Sequence, residues 1–149
     1  MSEHERHAWA SLGVTALVWA FFTMRMTDGG WIADVSARHM LWTYVATVVL
    51  MIASHSIIAA WLAARRGQAP FRDERDAAIE ARADRIEGYV LAVVINVLVV
   101  HALAEAVFAG HALPRVDLGS LPTLVVVLLS VLFAGHIVKQ AAIIWQYRA

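Results

Sequence analysis

Apolar residues fall along the chain in four long runs, separated by short polar segments and one charged stretch. The runs are Ala8 to about Met24, Met40 to Ala64, Gly88 to Gly110 and Leu121 to about Trp145. Each is far longer than a buried strand, and none alternates apolar and polar residues with a period of two. A helix that crosses a bilayer takes roughly 20 apolar residues, because every backbone amide must find its partner within the segment. The pattern therefore predicts an all-α polytopic membrane protein, a four-transmembrane-helix bundle, with residues 1–149 forming a single membrane domain. Run one is short, bounded by His7 and Arg25. The segment before it sets Glu3 and Glu5 against Arg6, and the nearest small-x-small triplet, Val35-Ser36-Ala37, lies too far beyond the run for a leader to be cut there. An uncleaved helix is expected. A three-span protein with run one at the periphery is the alternative.

Composition narrows the class. Apolar residues make up 60% of the chain and charged residues 16%, against about 25% charged in an ordinary soluble domain. The net charge is +0, which argues against direct binding of nucleic acid. The absence of cysteine excludes disulfides and thiolate metal sites.

Lysine and arginine set the expected orientation. Arg6, Arg65, Arg66, Arg72, Arg75, Arg82, Arg85, Lys139 and Arg148 fall on one side; Arg25, Arg38 and Arg115 fall on the other. The richer side is read as cytoplasmic, which puts both termini and the middle loop on the cytoplasmic side of a bacterial inner membrane. Trp9, Trp31, Trp42, Trp61 and Trp145 lie near the expected interfaces, and Trp19 lies deeper. Lys139, near the end of run four, is long enough to reach the nearer headgroups. Asp28-Gly29-Gly30 marks a turn in the first external loop, and Pro122 fits the first turn of run four.

The segment from Phe71 to Glu87 reads as a charged helix, and only Gly88 separates it from run three. A single glycine costs about 1 kcal/mol in a helix, so the third helix is expected to extend into the cytosol. At 100° per residue, Asp73, Asp76, Glu80, Asp84 and Glu87 form one stripe, while Arg75, Ile79, Arg82 and Ile86 lie on the opposite side. Two readings follow. In one, Arg75, Ile79, Arg82 and Ile86 rest on the membrane surface and the acids face water. In the other, the acids present a docking stripe to a basic cytosolic protein.

The run Asp73-Glu74-Arg75-Asp76, followed by Ile79, Arg82-Ala83, Arg85-Ile86 and Tyr89, resembles an uncharacterised family of small bacterial and archaeal membrane proteins. Members carry D-E-R-D-x-x-I-x-x-R-A ahead of a span. The likeness covers about residues 70–110; elsewhere only the number of spans agrees. The family is a domain of unknown function, so the resemblance implies architecture and no activity. Its members are often encoded beside small helix-turn-helix regulators, which implies a regulatory partnership.

Ionisable residues within spans cost a few kcal/mol each and are functional candidates. Here they are His55 in run two, His101 and Glu105 in run three, and His136 in run four. His55 and His136 each stand 15 residues past the outer end of an inward-running helix, so they are expected at one depth. Histidines so placed on two helices can ligate one haem iron or a divalent metal. His101 and Glu105, spaced i,i+4, share a face and can relay protons or sense pH. Simple interhelical packing, with neutral rings bonded to Ser54, Ser56, Asn96, Ser130 or carbonyls, is the competing reading, since polar contacts between helices commonly serve packing. No hydrolase triad, phosphate loop or zinc-protease spacing is present. The pattern Ala59-Ala60 and Ala63-Ala64 allows close helix approach within the bundle or across a homo-oligomer. The sequence thus favours a non-enzymatic binding or regulatory module with a basic cytosolic partner, such as a helix-turn-helix regulator. The alternative is a haem-binding, metal-binding or proton-coupled membrane protein.

Overall fold

A computed structural model of the chain describes residues 3–28, 31–32, 35–65, 74–107 and 118–148. Four helices account for nearly all of them: α1 (Glu3–Met26), α2 (Ala37–Arg65), α3 (Glu74–Val107) and α4 (Leu121–Arg148). Between α1 and α2, β1 (Thr27–Asp28) and β2 (Trp31–Ile32) form a two-residue antiparallel pair bracketing positions 29 and 30. All four helices are long and apolar enough to cross a membrane, and the chain is a membrane protein built as a helical bundle. Large apolar side chains cover the outer surface, among them Leu17, Ile52, Val97 and Leu132. A surface of this kind needs lipid around it.

Each helix starts where its local chemistry allows. Ser36 caps α2: its Oγ accepts the His39 N–H at 3.3 Å, and its carbonyl accepts the Met40 N–H at 3.0 Å. The Ser120 carbonyl accepts the Leu124 N–H at 2.9 Å, and Pro122 occupies the first turn of α4, where no amide is needed. Glu74 and Asp76 stand in the first turn of α3, where the helix dipole favours negative charge.

The charged segment and the third apolar run form one uninterrupted helix through Gly88. A Cβ at Gly88 would meet nothing within 4 Å, so this glycine serves no close contact. At 1.5 Å per residue, the 34 residues of α3 span about 51 Å, well beyond the ~30 Å of hydrocarbon.

The helices pack in the order α2, α1, α4, α3. Run one, the shortest in the sequence, is therefore central and not peripheral. Its inward face is Glu5, Ala8, Ser11, Thr15, Val18, Phe22 and Met26, all buried at spacings of three and four. At one end Phe22, Met26 and Met40 form an apolar plug with Val35, Val125, Val126 and Leu129. At the other end Arg148 Nε donates to Glu5 Oε1 at 3.1 Å, which joins the end of α4 to the start of α1. Midway, Trp19 Nε1 donates to Ser130 Oγ at 3.3 Å. Between α3 and α4 the backbones come close at Gly135, where a Cβ would lie 2.8 Å from Leu91 Cδ2.

Candidate functional site

The end of the bundle opposite the plug is polar inside. The last turns of α4 carry His136, Lys139, Gln140, Ile143 and Tyr147 on one face, since residues three and four apart stack along a helix. α3 runs antiparallel beside them with Asp76, Ile79, Glu80, Asp84 and Glu87 at the same spacing. α1 contributes His7, Ala8 and Ser11, and α2 contributes His55. Together the four helices enclose a vestibule of about 250 Å³ whose lining includes His7, Ser11, His55, Asp76, Glu80, His136, Lys139, Gln140 and Tyr147.

His55 and His136 meet edge to face in its wall, with ring centroids 5.6 Å apart. The helix fixes the tautomer of His55. Its Nδ1 lies 2.9 Å from the Met51 carbonyl oxygen, which only accepts, so Nδ1 carries the proton and Nε2 presents a lone pair. That Nε2 is buried and has no hydrogen-bond partner. His136 is held from both sides. Its Nδ1 lies 4.0 Å from Glu87 Oε1, and its Nε2 lies 3.2 Å from Gln140 Nε2, which donates to it when the ring proton is on Nδ1. Such outer partners set ring orientation and basicity in histidine sites. His7 Nδ1 lies 3.5 Å from Ser11 Oγ.

The ion pairs next to the histidines join α3 to α4. Lys139 Nζ binds Asp84 Oδ1 and lies 3.7 Å from Glu87 Oε2. Tyr147 donates its hydroxyl proton to Asp76 Oδ1. Lys139 thus turns into the bundle, not toward the headgroups, because two carboxylates stand opposite it.

Several residues singled out in the sequence take places other than those expected. Of the acidic stripe, Asp76, Asp84 and Glu87 engage α4 and Glu80 lines the vestibule; Asp73 lies outside the described residues. The stripe therefore faces the bundle more than open water. Ile79 is buried and Ile86 half-buried, while Arg75 and Arg82 are exposed. The physical reason is that α3 packs on the boundary between its acidic and isoleucine faces, with Ala83 fully buried at the seam. His101 stands 14 residues beyond Glu87 in α3, about 21 Å along the axis, and is not part of this cluster. Its Nε2 is buried and unpartnered. Glu105 belongs to α3, but its side chain lies outside the described residues. On α2, Ala59 and Ala60 are exposed.

His7, Lys139, Gln140 and Tyr147 belong to the site without having been picked out. For Lys139, Gln140 and Tyr147 the signal is their spacing from His136, which puts polar residues on one face inside an apolar run; His7 on α1 carries no such signal.

The vestibule suits small, charged occupants. Among the described residues no group of three or more His, Cys, Asp or Glu is arranged to hold a metal ion. Two rings in edge contact leave no slot between them for the plane of a haem, and about 250 Å³ falls below the ~300–1,000 Å³ typical of drug-sized ligands. A proton, which needs only a lone pair and a path from water, meets no such obstacle. Comparison with protein-family models, with curated proteins and with solved structures gives no match.

Proposed function

We propose that this chain is a non-enzymatic, proton-responsive membrane protein in which the His55–His136 pair accepts protons from the vestibule. The observation that carries the reading is the buried, unpartnered Nε2 of His55, kept as an acceptor by the Met51 carbonyl and set beside a second imidazole. Among the described residues, Arg6, Arg65, Arg75, Arg82, Arg85, Lys139 and Arg148 belong to the vestibule end, against Arg25 and Arg38 at the other; by the positive-inside rule that end is cytoplasmic, with both termini inside. A bacterial inner membrane is the setting proposed.

The groups that face the pair come from every element packed on it: His7 on α1, Asp76, Glu80, Asp84 and Glu87 on α3, and Lys139 and Tyr147 on α4. One proton on the pair is balanced by Glu87. A second creates two imidazolium charges 5.6 Å apart, which repel by about 3 kcal/mol at an effective dielectric of 20. α2 gives way, because it packs mainly on α1 and most of its surface faces outward. A charge change of this size on a loosely held helix is the form that histidine switches take. Docking of a basic protein on the acidic stripe is the weaker reading, since it must first break the Asp76–Tyr147 and Asp84–Lys139 contacts.

The test is the distance between spin labels at Ile57→Cys on α2 and Ala141→Cys on α4, both exposed positions, in a chain with no other cysteine. Between pH 8 and pH 5 the distance should lengthen in the otherwise wild-type protein and stay fixed in the His55→Gln/His136→Gln background. An unchanged distance in the former, or an equal change in the latter, overturns the proposal.

A further inference from the structure

The outer face of α3 reads, from its first turn onward, as a section through one leaflet of a bilayer. Arg75, Arg82 and Tyr89 follow one another at intervals of seven residues, so they share a face. Below them on that face come Val93, Val97 and Val100, and all six side chains point outward, Tyr89 to the extent of 71%. Cationic, amphipathic and then aliphatic side chains along one line match the order of phosphate, interface and hydrocarbon. On α4, Trp145 is 74% exposed and neighbours Gln146, which marks the same level as interfacial.

Two hollows lie along this face. One, of about 300 Å³, is lined by Arg75, Ala78, Ile79, Arg82 and Gln146. The other, of about 430 Å³, is lined by Ala92, Val93, Asn96, Val97 and Val100 and is almost wholly apolar. Two arginines, Ala78 and the buried Ile79 of α3 line the first, together with Gln146 of α4. Gln146 Nε2 already donates to the Ala142 carbonyl at 3.2 Å, which leaves its second N–H for a ligand. Arg75 and Arg82 have no ion pair among the described residues, because Asp76, Asp84 and Glu87 turn toward Tyr147, Lys139 and His136. Among the described residues the inward-turned acids pair with α4 and not with these outward cations. Arginine pairs meet phosphate oxygens in fork geometry with charge-assisted hydrogen bonds.

We infer that α3 binds an anionic glycerophospholipid, its phosphate held by Arg75, Arg82 and Gln146 and one acyl chain lying along Ala92, Val93, Val97 and Val100. The inference rests on the membrane fold and is independent of the histidine pair. Apolar length below a cationic pocket distinguishes a lipid from soluble phosphate: the ligand is recognised at both ends.

Native mass spectrometry of the detergent-solubilised protein tests this, with phosphatidylglycerol and phosphatidylcholine added in equal amounts. Phosphatidylglycerol adducts should dominate in the wild type. Arg75→Gln/Arg82→Gln should lower them about tenfold, in line with the loss of one to two charge-assisted hydrogen bonds. Arg85→Gln, an exposed arginine whose Nε donates to the Ala81 carbonyl, should keep them. Val97→Asp should also lower them while both arginines remain. Equal binding of the two lipids, retention in the double variant, equal loss in Arg85→Gln, or displacement by millimolar inorganic phosphate would each overturn the assignment.

Discussion

His55 of α2 and His136 of α4 stand edge to face, 5.6 Å between ring centroids, although α1 separates the two helices over much of their length. If the pair works as one unit, the two rings are energetically coupled through this contact. A double-mutant cycle of His55→Gln and His136→Gln, read from denaturant midpoints in mild detergent, should give a coupling of about 0.5–3 kcal/mol. Additive effects would mean that the rings do not sense each other.

Gly135 lies at a close approach of α3 and α4, and a side chain there meets Leu91 first. The nearest atom, Leu91 Cδ2 at 2.8 Å, is the end of a flexible side chain, but Leu91 Cγ at 3.1 Å is less free to yield. Gly135→Ala gains helix propensity of about 1 kcal/mol against a small displacement, so its net effect should stay within ~1 kcal/mol. Gly135→Val adds two further methyl groups and should cost about 1–3 kcal/mol. Leu91→Ala in the Gly135→Val background should recover part of that loss in a thermal unfolding series. Full additivity of the two changes would show that the residues do not touch.

Lys139 stands against two carboxylates of α3, and removing it takes the ammonium away from both Asp84 and Glu87. Asp84 is 53% exposed, so solvent softens the cost. Lys139→Met should destabilise by about 1–3 kcal/mol, less than breaking a fully buried pair. The triple variant Lys139→Met/Asp84→Asn/Glu87→Gln should regain most of it, because no uncompensated charge remains. The measurement is the midpoint of denaturant unfolding in mild detergent at pH 7.

Much of this architecture is legible in the sequence because membranes constrain it so strongly. Run length and the need to bond every amide internally fix four helices. The same reasoning carries α3 through Gly88, since nothing else between Glu74 and Val107 breaks a helix. Equal distance from the starts of the two apolar runs, Met40 and Leu121, brings His55 and His136 to one level. What the sequence leaves open is rotation about each helix axis. Periodicity gives α3 two candidate faces, Asp76-Glu80-Asp84-Glu87 and Ile79-Ile86, and packing uses the edge between them. That choice depends on Lys139 and Tyr147, which sit inside an apolar run of another helix and carry no local sign of their partners. His101 and Glu105 illustrate the converse: their shared face follows from i,i+4 spacing alone, while what lies opposite them does not.

The position of α1 offers a last test, because composition and packing point in different directions. Run one has the lowest mean hydropathy of the four spans, 1.3 against 1.8 to 2.4, which by itself suits a peripheral helix. Its inward face nevertheless ends in Phe22, 0% exposed, while Leu17 on the opposite face is 72% exposed. Phe22→Ala should remove a fully enclosed ring from the plug with Met26 and Met40 and cost about 3–5 kcal/mol. Leu17→Ala removes a similar apolar bulk from a surface that meets lipid in the folded and unfolded states alike, so it should change stability by less than ~0.5 kcal/mol. Reversible unfolding in detergent–denaturant mixtures compares the two directly. Equal, small effects would place α1 outside the core, whereas a large effect of Phe22→Ala alone fits a central helix that also buries the polar Glu5, Ser11 and Thr15 on its inward face.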